Sequence, residues 1–185
     1  QETRLWNDHD FQPPNGYVFV NRVRPLQTGR PSGGVGFIVR NDIAFTELDL
    51  NSDLEAIAIK IGWPIEMTVI TLYLPPPPFR LVIEDLHNLF ANIDGPFLLC
   101  TDANAHDVHW GSPQNDHNGR GSLIWNYLVD NEINVLNDGT PTRRAGGYGR
   151  DGVIDLTLCD TQLLPYLNYY VTSLTCGSDH YVIAI

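Results

Sequence analysis

The stretch "GPFLLCTDANAHDVHWGS", residues 95–112, joins an apolar run to a dense group of polar side chains. Residues 95–102 have the composition of a fully buried strand. Asp102, Asn104, His106 and His109 stand at or just after its end. Binding and catalytic groups favour strand ends and the loops that follow them. This stretch therefore predicts a functional site at the end of a buried strand.

The rest of the chain consists of short apolar segments separated by Gly, Pro, Asn and Asp. Apolar residues at helical spacing predict helices over 82–93 and 120–131. Because the helices stand only in the middle and strands outnumber them, we expect an α/β (α+β) fold with mixed or antiparallel sheets. The predicted strands, from composition and alternation, are 16–21, 35–40, 54–61, 66–74, 95–102, 133–138, 153–160, 169–176 and 180–185.

The length and charge of the chain limit its function. Its 185 residues predict a single domain, and its formal net charge is −11. Domains that bind nucleic acid through phosphates are usually basic, so the charge argues against tight, non-specific DNA binding. It does not exclude a nuclease, because metal-binding active sites concentrate carboxylates. No apolar stretch approaches the ~20 residues of a membrane helix, so no membrane partner is expected.

The three cysteines are Cys100, Cys159 and Cys176, and each follows strand-like residues without metal-type pairing. Their odd number and apolar surroundings predict reduced core thiols in a reducing compartment.

Polar clusters recur at the predicted strand ends, and we expect them to form one convergent site. They occupy residues 1–3, 72–76, 101–106, 153–158 and 177–181. Glu2 and Asp179 offer the hard oxygen ligands that Mg²⁺ prefers. His180 can act as an acid, a base or a phosphate ligand, and Asp155 can fix its tautomer.

The same residue types favour attack of water on a phosphate ester with the help of a metal. Asp102 is a carboxylate that can orient or deprotonate the water, and Asn104 can donate to a phosphate oxygen. Each motif also has a simpler interpretation: Asp-x-Asn forms turns, and Ser-Asp-His caps helices or lies in loops. His106 and His109, with Trp110, could bind zinc, but no Cys or Glu has zinc-type spacing to them.

Seven motifs occur in a fixed order across nearly the whole chain: "QET" (1–3), "YLPP" (73–76), "DANAHDVHWGS" (102–112), "NGRG" (118–121), "LNDGTPTR" (136–143), "IDLTL" (154–158) and "SDHY" (178–181). In this order they resemble the endonuclease/exonuclease/phosphatase superfamily, in particular the apurinic-like endonuclease domain of LINE-type non-LTR retrotransposons. Thr101 and Ala103 depart from the Gly-Asp-Phe-Asn pattern of that family. The resemblance implies a four-layered α/β/β/α sandwich of two mixed, mostly antiparallel sheets.

The resemblance also implies a role for each matching residue. Glu2 matches the metal-binding glutamate, with Asp179 a further metal ligand, and Tyr73 matches a tyrosine that contacts the scissile phosphate. Asp102 matches the aspartate that activates water, and Asn104 the asparagine that contacts the phosphate. The carboxylate that pairs with the catalytic histidine matches Asp155, and the terminal aspartate–histidine pair matches Asp179 and His180.

A DNA contact is expected at Thr142 and at the hairpin "RRAGGYGRDG", residues 143–152, that follows it. Arg143, Arg144 and Arg150 surround Tyr148 there, and its glycines allow tight turns that would let the arginines enter a minor groove. The alternative is a mobile surface loop with solvated charges.

Relatives of this family begin with a strand that carries a metal-site asparagine and precedes "QET". Here Gln1 is the first residue. We therefore expect residues 1–185 to be a single, N-terminally truncated domain without its first strand. Lower stability and weak or absent nuclease activity of this chain alone are expected to follow.

The function implied by the resemblance is that of a Mg²⁺-dependent DNA endonuclease, with Mn²⁺ as the other candidate ion. It would nick double-stranded target DNA and leave a 3′-hydroxyl that primes reverse transcription by a polymerase domain of the same polyprotein. A monomeric domain acting in the nucleus is expected. The alternatives are an apurinic/apyrimidinic-site repair endonuclease, a phosphatase of the superfamily, and a catalytically inactive remnant that only binds.

Overall fold

The structure is a computed structural model that describes residues 1–7, 10–24, 30–62, 64–113, 118–146 and 150–185. Two short 3₁₀ helices, Val108–Trp110 and Thr161–Tyr166, accompany the regular elements. Those elements are β1 (Tyr17–Arg22), β2 (Val35–Arg40), β3 (Phe45–Leu48), β4 (Glu55–Ile61), β5 (Met67–Tyr73), α1 (Ile83–Phe90), β6 (Phe97–Asp102), α2 (Gly119–Asp130), β7 (Asn134–Val135), β8 (Asp155–Cys159), β9 (Tyr170–Val171) and β10 (Ile183–Ala184).

The largest sheet has six strands in the order β3-β4-β5-β6-β8-β7. Only β5 and β6 pair in parallel; the other neighbours are antiparallel. The parallel pair arises because α1 lies between these two strands in the chain and returns it to the same end of the sheet. The carboxyl ends of β5 and β6 therefore lie side by side, next to the amino end of β8.

Helices α1 and α2 cover one face of this sheet. Alternate residues of each strand point towards these helices, because successive side chains of a strand project to opposite faces of the sheet. Ile70, Leu99 and Leu156 on the sheet pack in the same buried cluster as Leu89 of α1 and Leu128 of α2. All five side chains are almost completely buried. This cluster is the main core.

The intervening strand residues point to the opposite face of the sheet, which is covered by a pair of strands and a 3₁₀ helix. The antiparallel pair β1–β2 packs there, where Val20 and Val39 meet Ile59 of β4. Leu163, from the 3₁₀ helix Thr161–Tyr166, packs against Leu98 of β6. The described residues thus form a helical layer, a mixed sheet and a second layer rich in strands. The expected mixed α/β fold with few helices is confirmed.

Some predicted elements differ in the structure. Strand β3 was not predicted, and the strands expected over 133–138, 169–176 and 180–185 shrink to two residues each. The predicted strand 169–176 is interrupted because the Leu174 amide donates to the side chain of Thr172 instead of continuing the ladder. A turn follows, in which the Ser178 amide donates to the Thr175 carbonyl.

The cysteine prediction is only partly correct. Cys159 is buried and Cys100 partly buried, but Cys176 is exposed because it lies in the turn at 175–178. No disulfide is formed by these three thiols. Within the described ranges, none of the helices has the length and apolarity needed to span a membrane.

Candidate active site

Three polar side chains form a row across the centre of the six-stranded sheet. Tyr73 at the end of β5 is the register partner of Asp102 at the end of β6, and Asp102 is the partner of Asp155 at the start of β8. Residues opposite each other on paired strands project to the same face. The strand ends therefore place a phenol and two carboxylates next to one another, on the face opposite the helices.

The imidazole of His180 completes this group from the far end of the chain. Its Nδ1 lies 2.8 Å and 3.0 Å from the two carboxylate oxygens of Asp155. The backbone of His180 is held by a bridge to Arg143 and by donation of its amide to the Ser178 hydroxyl at 3.0 Å. The predicted Asp155–His180 pair is thus formed in the structure.

The electrostatics of the row favour a proton-transfer group near neutral pH. Burial, followed by the facing charge of Asp155, raises the pKa of Asp102 to about 6. The hydrogen bond to Asp155 raises the pKa of His180 despite its partial burial. At pH 7, Asp102 is mostly ionised but basic enough to accept a proton, and His180 has an increased tendency to remain cationic.

Glu2 joins the row beyond Tyr73. The hydroxyl of Tyr73 donates to one carboxylate oxygen of Glu2, and the Arg4 guanidinium donates to the other, with Nε at 3.1 Å. Burial opposes ionisation of Glu2, but these two hydrogen bonds lower its pKa overall. Burial and the bond to Glu2 raise the pKa of Tyr73, so this phenol stays protonated and can donate.

Asp179 lies at the edge of the same cleft, next to His180. Its carboxylate accepts from Nε of Arg143 at 2.8 Å, and this bond lowers the pKa of Asp179. The cleft has a volume of about 630 Å³, and its lining includes Glu2, Asp102 and Asp155 as well as Asp179 and His180. The predicted site residues from both ends of the chain thus meet in one cavity.

One group of potential metal ligands stands out among the described residues. Ligand atoms of Asp102, Asp155 and His180 lie within 4.8 Å of one another. The sequence assigned the metal to Glu2 and Asp179, which line the same cleft but are each paired with an arginine. Their role as metal ligands stays a prediction.

Asn104 lies directly beyond the row, in the loop after β6. Its backbone amide donates to Asp102 Oδ1 at 3.1 Å, and its side-chain Nδ2 donates to the Leu74 carbonyl at 3.0 Å. Its φ is +43°, a conformation that residues other than glycine rarely adopt. Asn104 is therefore held by both neighbouring strand ends.

His109, one of the two histidines considered as an alternative zinc site, has structural contacts. Nδ1 of His109 lies 2.6 Å from the Asp107 carboxylate, and its ring stacks on Trp125 with centroids 4.0 Å apart. Neither His106 nor His109 belongs to the ligand group found among the described residues.

Thr142, predicted to contact DNA, is fully buried. Its hydroxyl accepts from the backbone amides of Ile154 at 3.1 Å and Asp155 at 3.0 Å. This side chain therefore anchors the start of β8 beneath the row of Tyr73, Asp102 and Asp155. The prediction that it contacts DNA gains no support, because its polar atom is turned to the backbone and shielded from solvent.

The predicted DNA-contacting arginines lie on the surface beside the site. Arg143, Arg144 and Arg150 are exposed. Arg143 forms backbone bridges with both Gly152 and His180, so the start of the segment 143–152 is joined directly to His180. Tyr148 lies outside the described residues.

Sequence reasoning missed three residues around the row. Glu55, on β4, is the register partner of Tyr73 and accepts from Nε of Arg24 at 2.6 Å. The Arg24 guanidinium lies 5.5 Å from the centre of the Tyr73 ring. Arg120, in the "NGRG" motif, binds carbonyls of the loops that follow β5 and β6. The "NGRG" motif contains Arg120 but gave it no role, whereas Arg24 and Glu55 carry no local signal.

Comparison with known proteins identifies the family. The family described as Endonuclease-reverse transcriptase matches residues 67–184, which is more than half of the chain. The chain belongs to the endonuclease-reverse transcriptase family. The match spans β5 to β10 and therefore includes Tyr73, the Asp102–Asp155–His180 group and Asp179.

Two curated proteins encoded by mobile elements of Drosophila melanogaster are similar to this member of the endonuclease-reverse transcriptase family. The RNA-directed DNA polymerase from mobile element jockey is 25% identical over 130 residues, which is 69% of this chain and 14% of that protein. The probable RNA-directed DNA polymerase from transposon X-element is 24% identical over 164 residues, 85% of this chain and 17% of that protein. The chain thus spans less than a fifth of these relatives.

A solved structure supports the fold. The endonuclease domain of TRAS1, a telomere-specific non-LTR retrotransposon, superposes with a TM-score of 0.71 at 19% identity, covering 89% of this chain and 78% of that domain. An endonuclease/exonuclease/phosphatase protein from Beutenbergia cavernae has a TM-score of 0.60 at 15% identity, covering 90% of this chain and 52% of that one. At these identities the similarity concerns the fold.

Proposed function

We propose that this member of the endonuclease-reverse transcriptase family is a metal-dependent endonuclease that nicks double-stranded DNA and leaves a 3′-hydroxyl. That hydroxyl would prime reverse transcription by a polymerase domain of the same polyprotein, and the place of action would be the nucleus. The observation that carries the proposal is the buried Asp102 facing Asp155 across β6 and β8, with His180 paired to Asp155 in the same cleft.

The side chains of the row suit hydrolysis of a phosphodiester. Asp102, which is ionised at neutral pH, can align a water molecule and take its proton. His180, whose pKa is raised by its hydrogen bond to Asp155, can bind a non-bridging phosphoryl oxygen in its protonated form. Tyr73 is the register partner of Asp102, and the backbone amide of Asn104 donates to Asp102. Their side chains would turn from Glu2 and Leu74 to add neutral donors for the remaining phosphoryl oxygens.

The donor set around the cleft fits Mg²⁺ or Mn²⁺. Carboxylate oxygens are the ligands that hard divalent cations prefer, and Glu2, Asp102 and Asp179 supply them in one cavity. The raised pKa of Asp102 reflects negative charge that burial leaves poorly compensated, and a bound cation would relieve it. When bound, the ion would neutralise charge that develops on the leaving oxygen. Glu2 and Asp179 would then bind the ion in place of their arginine partners.

DNA binding by an acidic chain requires cations concentrated near the site. Arg143, Arg144 and Arg150 provide such a group, exposed on the hairpin that is joined to His180. We propose that these arginines hold the DNA backbone beside the cleft, so the salt sensitivity of nicking should decrease when they are replaced.

A supercoiled-plasmid assay tests the function. With Mg²⁺ a chain extended by the strand that relatives carry before "QET" should convert supercoiled plasmid to the open circle, and the present chain should do so at a lower rate. Neither should nick in EDTA or with the Asp102→Ala substitution. The nicks should be extended directly by a DNA polymerase, because a 3′-hydroxyl primes synthesis and a 3′-phosphate does not. Arg40→Met, on the exposed side of β2, serves as a control with normal activity.

Assays of abasic-duplex cleavage, phosphate release and DNA binding on the same chain separate the alternatives. Cleavage confined to abasic duplex would indicate a repair endonuclease, and release of inorganic phosphate from a phosphomonoester without nicking would indicate a phosphatase. Metal-independent DNA binding without any turnover would indicate an inactive remnant. Each of these results contradicts the proposal.

A further inference from the structure

The "NGRG" motif places an arginine at a point where two loops of the site meet. Helix α2 begins at this motif, with Asn118 as its N-cap: the side-chain oxygen of Asn118 accepts from the Gly121 amide at 2.8 Å. The Asn118 amide in turn donates to the His106 carbonyl at 3.2 Å. The first turn of α2 is therefore fixed against the loop that follows β6.

Gly121 makes this contact close. A Cβ atom added there would lie 2.0 Å from the His106 carbonyl oxygen, so only glycine permits the helix and the loop to approach to this distance. Arg120, its neighbour, is carried by the same turn and is thereby directed at the loop instead of at solvent. The motif thus combines a cap, an arginine and a close approach.

The guanidinium of Arg120 joins the loops that follow β5 and β6. Its Nη1 donates to the carbonyls of Ala103 and Asn104, each at 3.2 Å, and its Nη2 donates to the Phe79 carbonyl at 2.8 Å. The cation also lies 5.7 Å from the centre of the Phe79 ring. One side chain thereby satisfies three backbone acceptors on two separate segments.

These acceptors belong to the segments that position the catalytic row. Asn104, whose carbonyl is bound by Arg120, has a left-handed φ and donates its amide to Asp102. Its side chain donates to Leu74, the residue after Tyr73. A conformation of this kind persists only where the surroundings hold it. Arg120 supplies that hold from outside the cleft, since it is not among the residues that line it.

We propose that Arg120 is a positioning residue of the active site: it clamps the loops after β5 and β6 so that Asn104, Asp102 and Tyr73 keep their mutual geometry. The inference rests on the proposed nuclease function for its kinetic effect. Arginine is required because its planar fork presents several donors in fixed directions, whereas a lysine ammonium is a single point charge.

Two variants test the clamp. Arg120→Met keeps the aliphatic stem and removes every donor, and Arg120→Lys keeps the charge but not the fork. Arg40→Met is the matched control, because it removes an exposed arginine from β2. The measurements are the single-turnover nicking rate at saturating enzyme, the enzyme concentration that gives half of that rate, and amide hydrogen exchange.

For Arg120→Met we expect a nicking rate lower by about 30- to 100-fold, the size of effect that a misplacement of about 1 Å produces. The half-saturating concentration should stay within about threefold, because Arg120 does not line the cleft. Amide exchange should accelerate at residues 103–106 and not in β5, β6 and β8. The nicking rate of Arg120→Lys should lie between that of Arg120→Met and that of the unaltered chain. Arg40→Met should behave as the unaltered chain.

Three results would overturn the clamp: a nicking rate of Arg120→Met within about threefold of normal, a rise in half-saturation that accounts for the whole loss, or faster exchange throughout the central sheet. The second would indicate direct DNA binding and the third a general loss of stability. If neither the unaltered chain nor its N-terminally extended form nicks DNA, the proposed function fails by itself. The exchange pattern then decides about Arg120: acceleration confined to residues 103–106 supports the clamp, and its absence refutes it.

Discussion

Replacement of Asp102 by asparagine should stabilise the fold while it abolishes nicking. In the folded chain, burial and the facing Asp155 raise the pKa of Asp102 from its ordinary value of 3.8 to about 6. A difference of this size corresponds to about 3 kcal/mol between the protonated and ionised states. Because asparagine is neutral at every pH and its oxygen can still accept from the Asn104 amide, the variant avoids this cost.

The sign of the effect follows from proton linkage. Since the folded state binds the Asp102 proton more tightly than the unfolded chain does, this group stabilises the fold most strongly below about pH 4. That contribution declines as the pH rises from about 4 through about 6, and it is lost by pH 8. We therefore expect Asp102→Asn to exceed the unaltered chain in free energy of unfolding by about 3 kcal/mol at pH 8, and by only about 1.5 kcal/mol at pH 5.

The assay is urea denaturation followed by tryptophan fluorescence at pH 5 and pH 8, in EDTA so that no bound cation favours the ionised carboxylate. Asp53→Asn, which changes an exposed aspartate outside the cleft, is the control and should shift neither value. The reasoning is refuted if Asp102→Asn is less stable at pH 8, or if its advantage is the same at both pH values. Loss of nicking by at least about 100-fold should accompany the gain in stability.

Two further predictions concern the supports of the site, both measured as the free energy of unfolding in urea. Thr142→Val should destabilise the chain by about 2 to 4 kcal/mol, because two buried backbone amides lose their acceptor, whereas Thr142→Ser keeps the hydroxyl and should cost far less; equal losses would contradict this role. Gly121→Ala should cost about 1 to 3 kcal/mol through its clash with the His106 carbonyl. Gly119→Ala, where a Cβ meets no atom within 4 Å, should be neutral or slightly stabilising, and a similar cost for both variants would argue against the close approach.

Much of the fold could be predicted from local sequence patterns. The strands now assigned as β2, β4, β5 and β6 agree with the predicted segments to within two residues at each end, and both α-helices were expected. These elements carry long, strongly periodic apolar runs, so their type is set by their own side chains. The short strands β7, β9 and β10 were overestimated, because their ends depend on where a partner strand stops pairing.

The candidate site was predictable in its membership but not in its internal contacts. The order of polar motifs named Tyr73, Asp102, Asp155 and His180, and the structure brings all four together. The burial of Thr142 was not predictable, because a threonine beside an arginine-rich hairpin resembles a surface residue until its hydroxyl is seen to hold the backbone of β8.

By itself, the sequence determined which side chains are available, their parity along each strand and the family to which the chain belongs. Only the tertiary structure decided that Asp102 faces Asp155, that Glu2 and Asp179 pair with arginines, and that Arg120 ties two loops together. The physical reason is register: a shift of one residue between β6 and β8 would turn the carboxylates to opposite faces, and no local pattern fixes the alignment of strands so far apart in the chain.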